Sequence, residues 1–331
     1  MRATALGTFS VLAAWTALVA GQVLAAAPAA KQTSARIELK RDDQQGQLQI
    51  LIDGKEALVY CYGKRVDLPH FFPVRSPSGK SLTIQQTEPY PHHRSIWFAD
   101  TVQLAGGRKA SFYNAFYSRL DRKDPDRLFR DRIRHVDFLP ATVQGNVAEL
   151  GMRLVWEMDQ NTPVLDESRQ MRIVALEQGE YFLDLKFKLL AAYGDVSFVS
   201  DAAHYAWPYV RMSPEFSVQK GGRITNSAGG IDQKGTNGKP AHWVDYSNTV
   251  AGMAEGLAIF SHPENGYPHT WLTRDYGTFG PRRPDPRNGK PFTIKKGDTI
   301  GQRVGILVHS GDVKSGRVAE RYRQYAEKGS L

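Results

Sequence analysis

Ala148-Glu149-Leu150-Gly151-Met152-Arg153-Leu154-Val155-Trp156 is the stretch whose reading decides the fold. Leu150, Met152, Leu154 and Trp156 share one face, while Glu149 and Arg153 share the other. A period of two is that of a half-buried strand, not a helix. The same alternation recurs at Leu183, Leu185, Phe187 and Leu189 against Asp184, Lys186 and Lys188, and again at Val304, Ile306 and Val308. Leu48–Ile52 and Ala57–Tyr60 flank Asp53-Gly54, a pair that supplies the positive φ angles of a tight hairpin turn. Gln178-Gly179, Gly221-Gly222 and Lys296-Gly297-Asp298 are further turn signals between apolar runs. Helical spacing occurs once, at Val318, Ala319, Tyr322 and Tyr325-Ala326, and predicts a short C-terminal helix that packs against the sheets or covers an edge. No internal repeat is evident, which disfavours a propeller or solenoid. The expected fold is all-β: a large, mostly antiparallel two-sheet sandwich of the supersandwich kind, with that helix at its end.

Composition agrees with a globular chain. Of 331 residues, 41% are hydrophobic and 23% charged, which excludes disordered and collagenous classes. Cys61 is the only cysteine, so no intrachain disulfide and no multi-cysteine metal site can form. It lies in an apolar strand and reads as core rather than nucleophile.

Residues 1–25 read as a signal peptide. Met1-Arg2 precedes an uncharged stretch with the apolar run Val11–Trp15, and Val23-Leu24-Ala25 fits small-x-small cleavage near Ala25/Ala26. Residues 26–35 are then expected to be a disordered mature N-terminus, and 36–331 a single β-sandwich domain. An exported chain without disulfides suits a bacterial periplasm or exterior. No second membrane-spanning candidate follows. The formal net charge of +9 falls to +8 when Arg2 is lost. Export argues against nucleic acid as partner and for an acidic carbohydrate. The basic residues are mostly scattered, with clusters only at Arg130–Arg134 and from Arg282-Arg283 to Lys290.

Two polar clusters are candidates for chemistry. The first is Tyr90-Pro91-His92-His93-Arg94-Ser95, running into Ile96-Trp97-Phe98. Extended backbone there points His92 and Arg94 one way and His93 the other. The second is Ser261-His262-Pro263-Glu264-Asn265 with His269 to Gly277, following the apolar strand Gly256–Phe260. Polar segments at the ends of buried strands are where a rigid sheet carries function. His204-Tyr205-Ala206-Trp207 is a third candidate, and His309 a weak fourth. No Gly-x-Ser-x-Gly elbow, His-Glu-x-x-His pair or Walker loop is present.

Pro91–Phe98 resembles the Pro-His-His-Arg-Gly segment of a family of mostly secreted bacterial proteins often labelled methane oxygenase PmoA-like. Gly256–Asn265 is similar to that family's second block, and Trp271–Gly277 and Val308–Asp312 match as well. Ser95 stands where the family usually has Gly, and Ser261 where Asp is common. The resemblance implies a secreted β-rich protein. It does not imply a membrane methane oxygenase subunit, which needs several spanning helices.

The expected function is a secreted carbohydrate-active enzyme, a lyase or hydrolase of an acidic poly- or oligosaccharide. In a lyase, Arg94 or Arg274 neutralises a uronate carboxylate, and His92, His93, His262 or Tyr276 moves the proton. His204, Asn265 and Trp271 are expected to bind the sugar, and Trp97, Trp207 and Trp243 are further stacking candidates. A hydrolase needs paired carboxylates, for which Glu264, Asp275 and Asp245 are available. The rivals are a non-catalytic sugar-binding or envelope protein and a metal-dependent enzyme using His92, His93, His204, His262 or His269 with Glu264. The histidine spacing matches no metal motif, so a metal is possible but not favoured and the cofactor is left unknown. The two clusters are expected to converge on one cleft.

Overall fold

The Asp53-Gly54 turn forms as its residues dictate. Both have positive φ, 50° and 75°, and they join the antiparallel strands Gln47–Ile52 and Lys55–Cys61. The chain is described here from a computed structural model, which covers Met1 and residues 37–199, 206–266, 269–284 and 290–331. The expected signal segment and His204 lie outside the described residues. Ser34–Leu331 forms one compact unit.

Two large antiparallel sheets make the sandwich. The first runs, in spatial order, Ile37–Asp42, Gln47–Ile52, Lys55–Cys61, His70–Val74, Ile96–Trp97, Tyr209–Arg211, Thr278–Pro281, His269–Thr273 and Pro240–Ala241. The second runs Arg223–Asn226, Trp243–Val250, Met253–Ser261, Thr299–Ser310, Tyr181–Leu190, Thr162–Ala175, Val147–Met158 and Arg132–Phe138. A smaller sheet of Phe292–Ile294, Val196–Phe198, Thr101–Leu104 and Lys109–Ser111 pairs with neither, though its Val102, Ala110, Val196, Phe198 and Phe292 join the same core. Among the described residues no helix is long and apolar enough to cross a membrane.

The alternation at 148–156 places side chains as the sequence predicts. Leu150, Met152, Leu154 and Trp156 are buried in the core, and Glu149 and Arg153 are exposed. The same rule breaks in Tyr181–Leu190, where the outward Phe182 and Asp184 are buried too. The cause is the C-terminal helix Val318–Lys328, which covers the outer face of the second sheet. Tyr325 from that helix meets Phe182 at 5.0 Å, and its hydroxyl donates to Asp184 at 2.9 Å.

Register in the first sheet fixes what each of its faces presents. Tyr60, Phe71, Ile96, Val210 and Phe279 are direct partners across five strands, and all are buried in the core shared with the second sheet. Their sequence neighbours Cys61, His70, Trp97 and Tyr209 form the adjacent row and point to the opposite face. Two long irregular segments, residues 75–95 and 112–131, bring side chains to that opposite face. Connections of that length inside a compact fold are uncommon and are typically binding loops.

Candidate active site

His93 lies in a ladder of rings on this face. Tyr276 stacks on Tyr90 with centroids 5.1 Å apart, Tyr90 on His93 at 4.8 Å, and Trp97 on Tyr209 at 4.8 Å. His93 and Trp97, 5.3 Å apart, join the two halves. Gly277 closes the turn that presents Tyr276. Its φ is 111°, and a Cβ there would lie 3.1 Å from the Met212 carbonyl oxygen. His92 packs edge-on against His93 at 4.6 Å, and its Nδ1 is 3.1 Å from the Tyr117 hydroxyl. His93 Nε2 is 2.8 Å from the Tyr113 hydroxyl.

Arg211 caps the ladder. Its guanidinium lies 4.6 Å from the centroid of Tyr276, and Nη1 donates to the Tyr276 carbonyl at 2.8 Å. Five arginines are buried among the described residues. Arg94 pairs with Asp67, Arg132 with Glu157, Arg169 with Glu167 and Arg283 with Asp100. Arg211 is the one without a carboxylate, though it is only 5% exposed. A buried charge without a counter-ion is costly, which makes this position unusual. Arg211 Nε, Trp97 Nε1 and His93 Nδ1 are also buried without a hydrogen-bond partner.

Both histidines of the cluster are held neutral at pH 7. Burial pushes His93 down to about 3, helped by His92 and Arg211. His92, half-buried, is lowered by burial and then by Arg94. Burial raises the Tyr276 hydroxyl. The cluster thus offers neutral imidazoles, phenol hydroxyls and one fixed positive charge.

A cavity of about 820 Å³ lies at the other end of the same face, lined by Cys61, His70, Gln85, Arg94, Phe116 and Arg119 among others. Arg94 lines this cavity rather than the ladder, and its Nε and Nη2 both donate to Asp67 Oδ1. Its guanidinium also lies over Phe116 at 5.6 Å.

Of the residues singled out by sequence, His92, His93 and Tyr276 come together. The Ser261–Asn265 segment does not join them. His262 sits beside Tyr325 of the C-terminal helix and beside Glu264, with burial and then Arg303 lowering it. Asn265 ties its loop to Arg303, accepting from the backbone N–H and donating to the carbonyl. Trp271 is fully buried, and its Nε1 donates to the Ala241 carbonyl at 2.8 Å, so its ring is core and not a sugar platform. Arg274 donates to Asn237 and to the Thr273 carbonyl, bracing its turn. Trp97 and Trp207 are likewise buried, and Trp243 packs beneath the C-terminal helix. The expected convergence of the two clusters is therefore met only by Tyr276.

The three acidic candidates have separate partners. Asp245 pairs with His309, Asp275 accepts from the Gln233 N–H, and Glu264 pairs with Lys186. Among the described residues no group of three or more His, Cys, Asp or Glu is gathered as a metal site. Sequence reading missed Arg211, Tyr113, Tyr117 and His70. Arg211 had one visible signal, a charge set between Val210 and Met212 in an apolar run.

The alpha-galactosidase AgaB of Geobacillus stearothermophilus overlays with a TM-score of 0.47 at 10% identity, covering 84% of this chain and 42% of that one. The chain thus spans less than half the length of that enzyme. A polysaccharide lyase overlays at 0.34 with 10% identity, covering 86% and 34%. Galactose 1-epimerase of Lactobacillus acidophilus overlays at 0.35 with 9% identity, covering 84% and 100%. Likenesses this remote carry no argument about activity. No curated protein matches the sequence. A family model does match, over residues 47–323, and it carries no activity and no methane oxygenase label. The chain belongs to that family, the family of unknown function DUF6807.

Proposed function

We propose that this chain is an exported carbohydrate-active enzyme that cleaves an acidic sugar chain by elimination at the His92–Tyr276 end of the first sheet. The observation that carries the reading is Arg211, buried without a carboxylate among the described residues and set against the stacked rings. A uronate carboxylate is the counter-ion it lacks, and the unpartnered Arg211 Nε is a donor for such a group. Neutralising that carboxylate acidifies the proton on the adjacent ring carbon.

His92 is the base in this proposal, since it is neutral and only half-buried. It takes the carbon-bound proton, the electron pair becomes a ring double bond, and the glycosidic C–O bond at the next carbon breaks. Tyr117, 3.1 Å from His92 and exposed, gives its proton to the departing oxygen. His92 then returns the abstracted proton to Tyr117, and both groups are restored. His93, held near 3, is too weak a base and serves to position its neighbours. A hydrolytic route has less support, because the candidate carboxylates have separate partners.

The test is incubation with uronate-containing glycans and detection of the conjugated unsaturated product by ultraviolet absorbance. Product is expected from the native chain and is expected to vanish in His92→Ala. Sugar binding without product from any such glycan would favour the non-catalytic reading. For the export part, mass spectrometry of secreted protein should show a first peptide starting near Ala26. Residues 1–25 recovered intact in membranes would refute it.

A further inference from the structure

We propose that the cavity of about 820 Å³ at the His70 end of the face is a binding site for a hydroxylated anion of the sugar-acid class. The inference goes beyond the elimination reading, because it concerns binding and stands whether or not His92 acts as a base. Its volume is within the range of roughly 300–1,000 Å³ typical of small-ligand sites.

His70 sets the hydroxyl requirement. It lies in the row Cys61, His70, Trp97, Tyr209, is 2% exposed and lines the cavity. Its Nδ1 is 3.0 Å from the Leu68 carbonyl oxygen, which can only accept, so Nδ1 carries the hydrogen. Burial and then the charge on Arg94 push His70 down to about 3, so the ring stays neutral. Nε2 is therefore an acceptor, buried without a hydrogen-bond partner among the described residues, and its neighbour is the Gln85 side chain, whose Oε1 is likewise buried and unpartnered. A ligand that donates a hydrogen satisfies it, and one that only accepts does not. A plain carboxylate, sulfate or fully ionised phosphate has nothing to donate, whereas a sugar hydroxyl does.

The lining charges set the anion requirement. Five cations line the cavity against two carboxylates, Asp43 and Asp137. Asp43 and Asp137 are paired with Arg41 and Arg153, Lys64 with Asp126 and Arg94 with Asp67, which leaves Arg65 and Arg119 as the cations of the lining without an ion pair among the described residues. Arg119 lies over the Phe129 ring at 5.7 Å and has no ion pair among the described residues, which leaves it available for a ligand carboxylate. Phe116 and Phe129 give the apolar wall against which the C–H face of a sugar ring packs.

The experiment is calorimetric titration of the whole chain with D-glucuronate, D-glucose and acetate, with nitrogen NMR of histidine-labelled protein. Glucuronate should bind about tenfold more tightly than glucose, the worth of one charge-assisted contact. Both sugars should move the His70 Nε2 resonance toward that of a hydrogen-bonded acceptor, and acetate should not. Arg119→Ala, a change at an exposed residue, should bring glucuronate down to the affinity of glucose while the His70 shift persists. A His70 resonance that neither sugar moves overturns the proposal, as does acetate binding as tightly as glucuronate. Glucuronate binding here, together with no unsaturated product from any uronate-containing glycan, overturns the elimination reading and leaves this one standing.

Discussion

Replacing Arg211 by Met separates a structural arginine from one kept for a ligand. The side chain makes a charged hydrogen bond to the Tyr276 carbonyl and lies 4.6 Å from the Tyr276 ring centroid. A charge-assisted hydrogen bond contributes about 1.5–3 kcal/mol and a desolvated cation–π contact about 0.5–2 kcal/mol. Removing both costs roughly 2–5 kcal/mol. Against this stands the desolvation of a guanidinium that no carboxylate compensates, which is itself several kcal/mol. The two terms nearly offset, so Arg211→Met should change folding stability by less than about 2 kcal/mol in either direction. Asp67→Ala is the matched control. It strips the partner from Arg94, 4% exposed, and should cost about 3–5 kcal/mol. Urea denaturation followed by far-ultraviolet circular dichroism reads both, and turnover on uronate glycans should vanish in Arg211→Met. If Arg211→Met destabilises as much as Asp67→Ala, Arg211 is a structural residue and the site loses its anchor.

Three further outcomes are expected. Burial pushes His309 down, but the charge and hydrogen bond of Asp245 at 2.7 Å outweigh it, so its folded pKa is raised. A raised folded pKa gives stability that is full below the unfolded value of about 6.5 and is lost as pH rises through the folded one. Urea midpoints should therefore fall as pH rises above about 6.5, and Asp245→Asn should lose this slope along with about 3–5 kcal/mol; an unchanged slope refutes the pairing. Trp271→Phe should cost about 2–3 kcal/mol through the orphaned Ala241 carbonyl and the lost volume, with sugar affinity unchanged. Lower affinity at full stability would return Trp271 to the site. His262→Ala should leave turnover unchanged, since the side chain faces the C-terminal helix; its loss would join the two clusters after all.

The sandwich was legible because its long strands bury one face and expose the other. Val147–Met158 carries enough alternating residues to reveal a period of two. The strands that build the site are different. Ile96–Trp97 has two residues and Tyr209–Arg211 three, too few to show any period. Their faces are set by pairing with each other and with His70–Val74, which is long-range information. Trp97, Trp207 and Trp271 were ambiguous for a related reason. An aromatic ring in an apolar run suits a core as well as a sugar platform, and only burial decides between them.

Arginine assignment shows where local reasoning stops. Arg94 is adjacent to the histidine pair, and Arg211 lies far from it in the chain, yet Arg211 is the one against the rings. Arg94 is held away because Asp67, beside the strand His70–Val74, draws it toward the cavity end of the face. Arg211 reaches the ladder because the Trp97–Tyr209 pair sets its strand beside Ile96–Trp97, and a step of two residues keeps Tyr209 and Arg211 on one face. On the other side of Ile96–Trp97, the pairing with His70–Val74 places His70 beside Trp97. Two registers against Ile96–Trp97 thus determine which cation meets the neutral histidines and which neutral histidine meets the cavity. A one-residue slip of Tyr209–Arg211 would turn Val210 outward and bury Arg211 in the core, removing the charged anchor while leaving every strand in place.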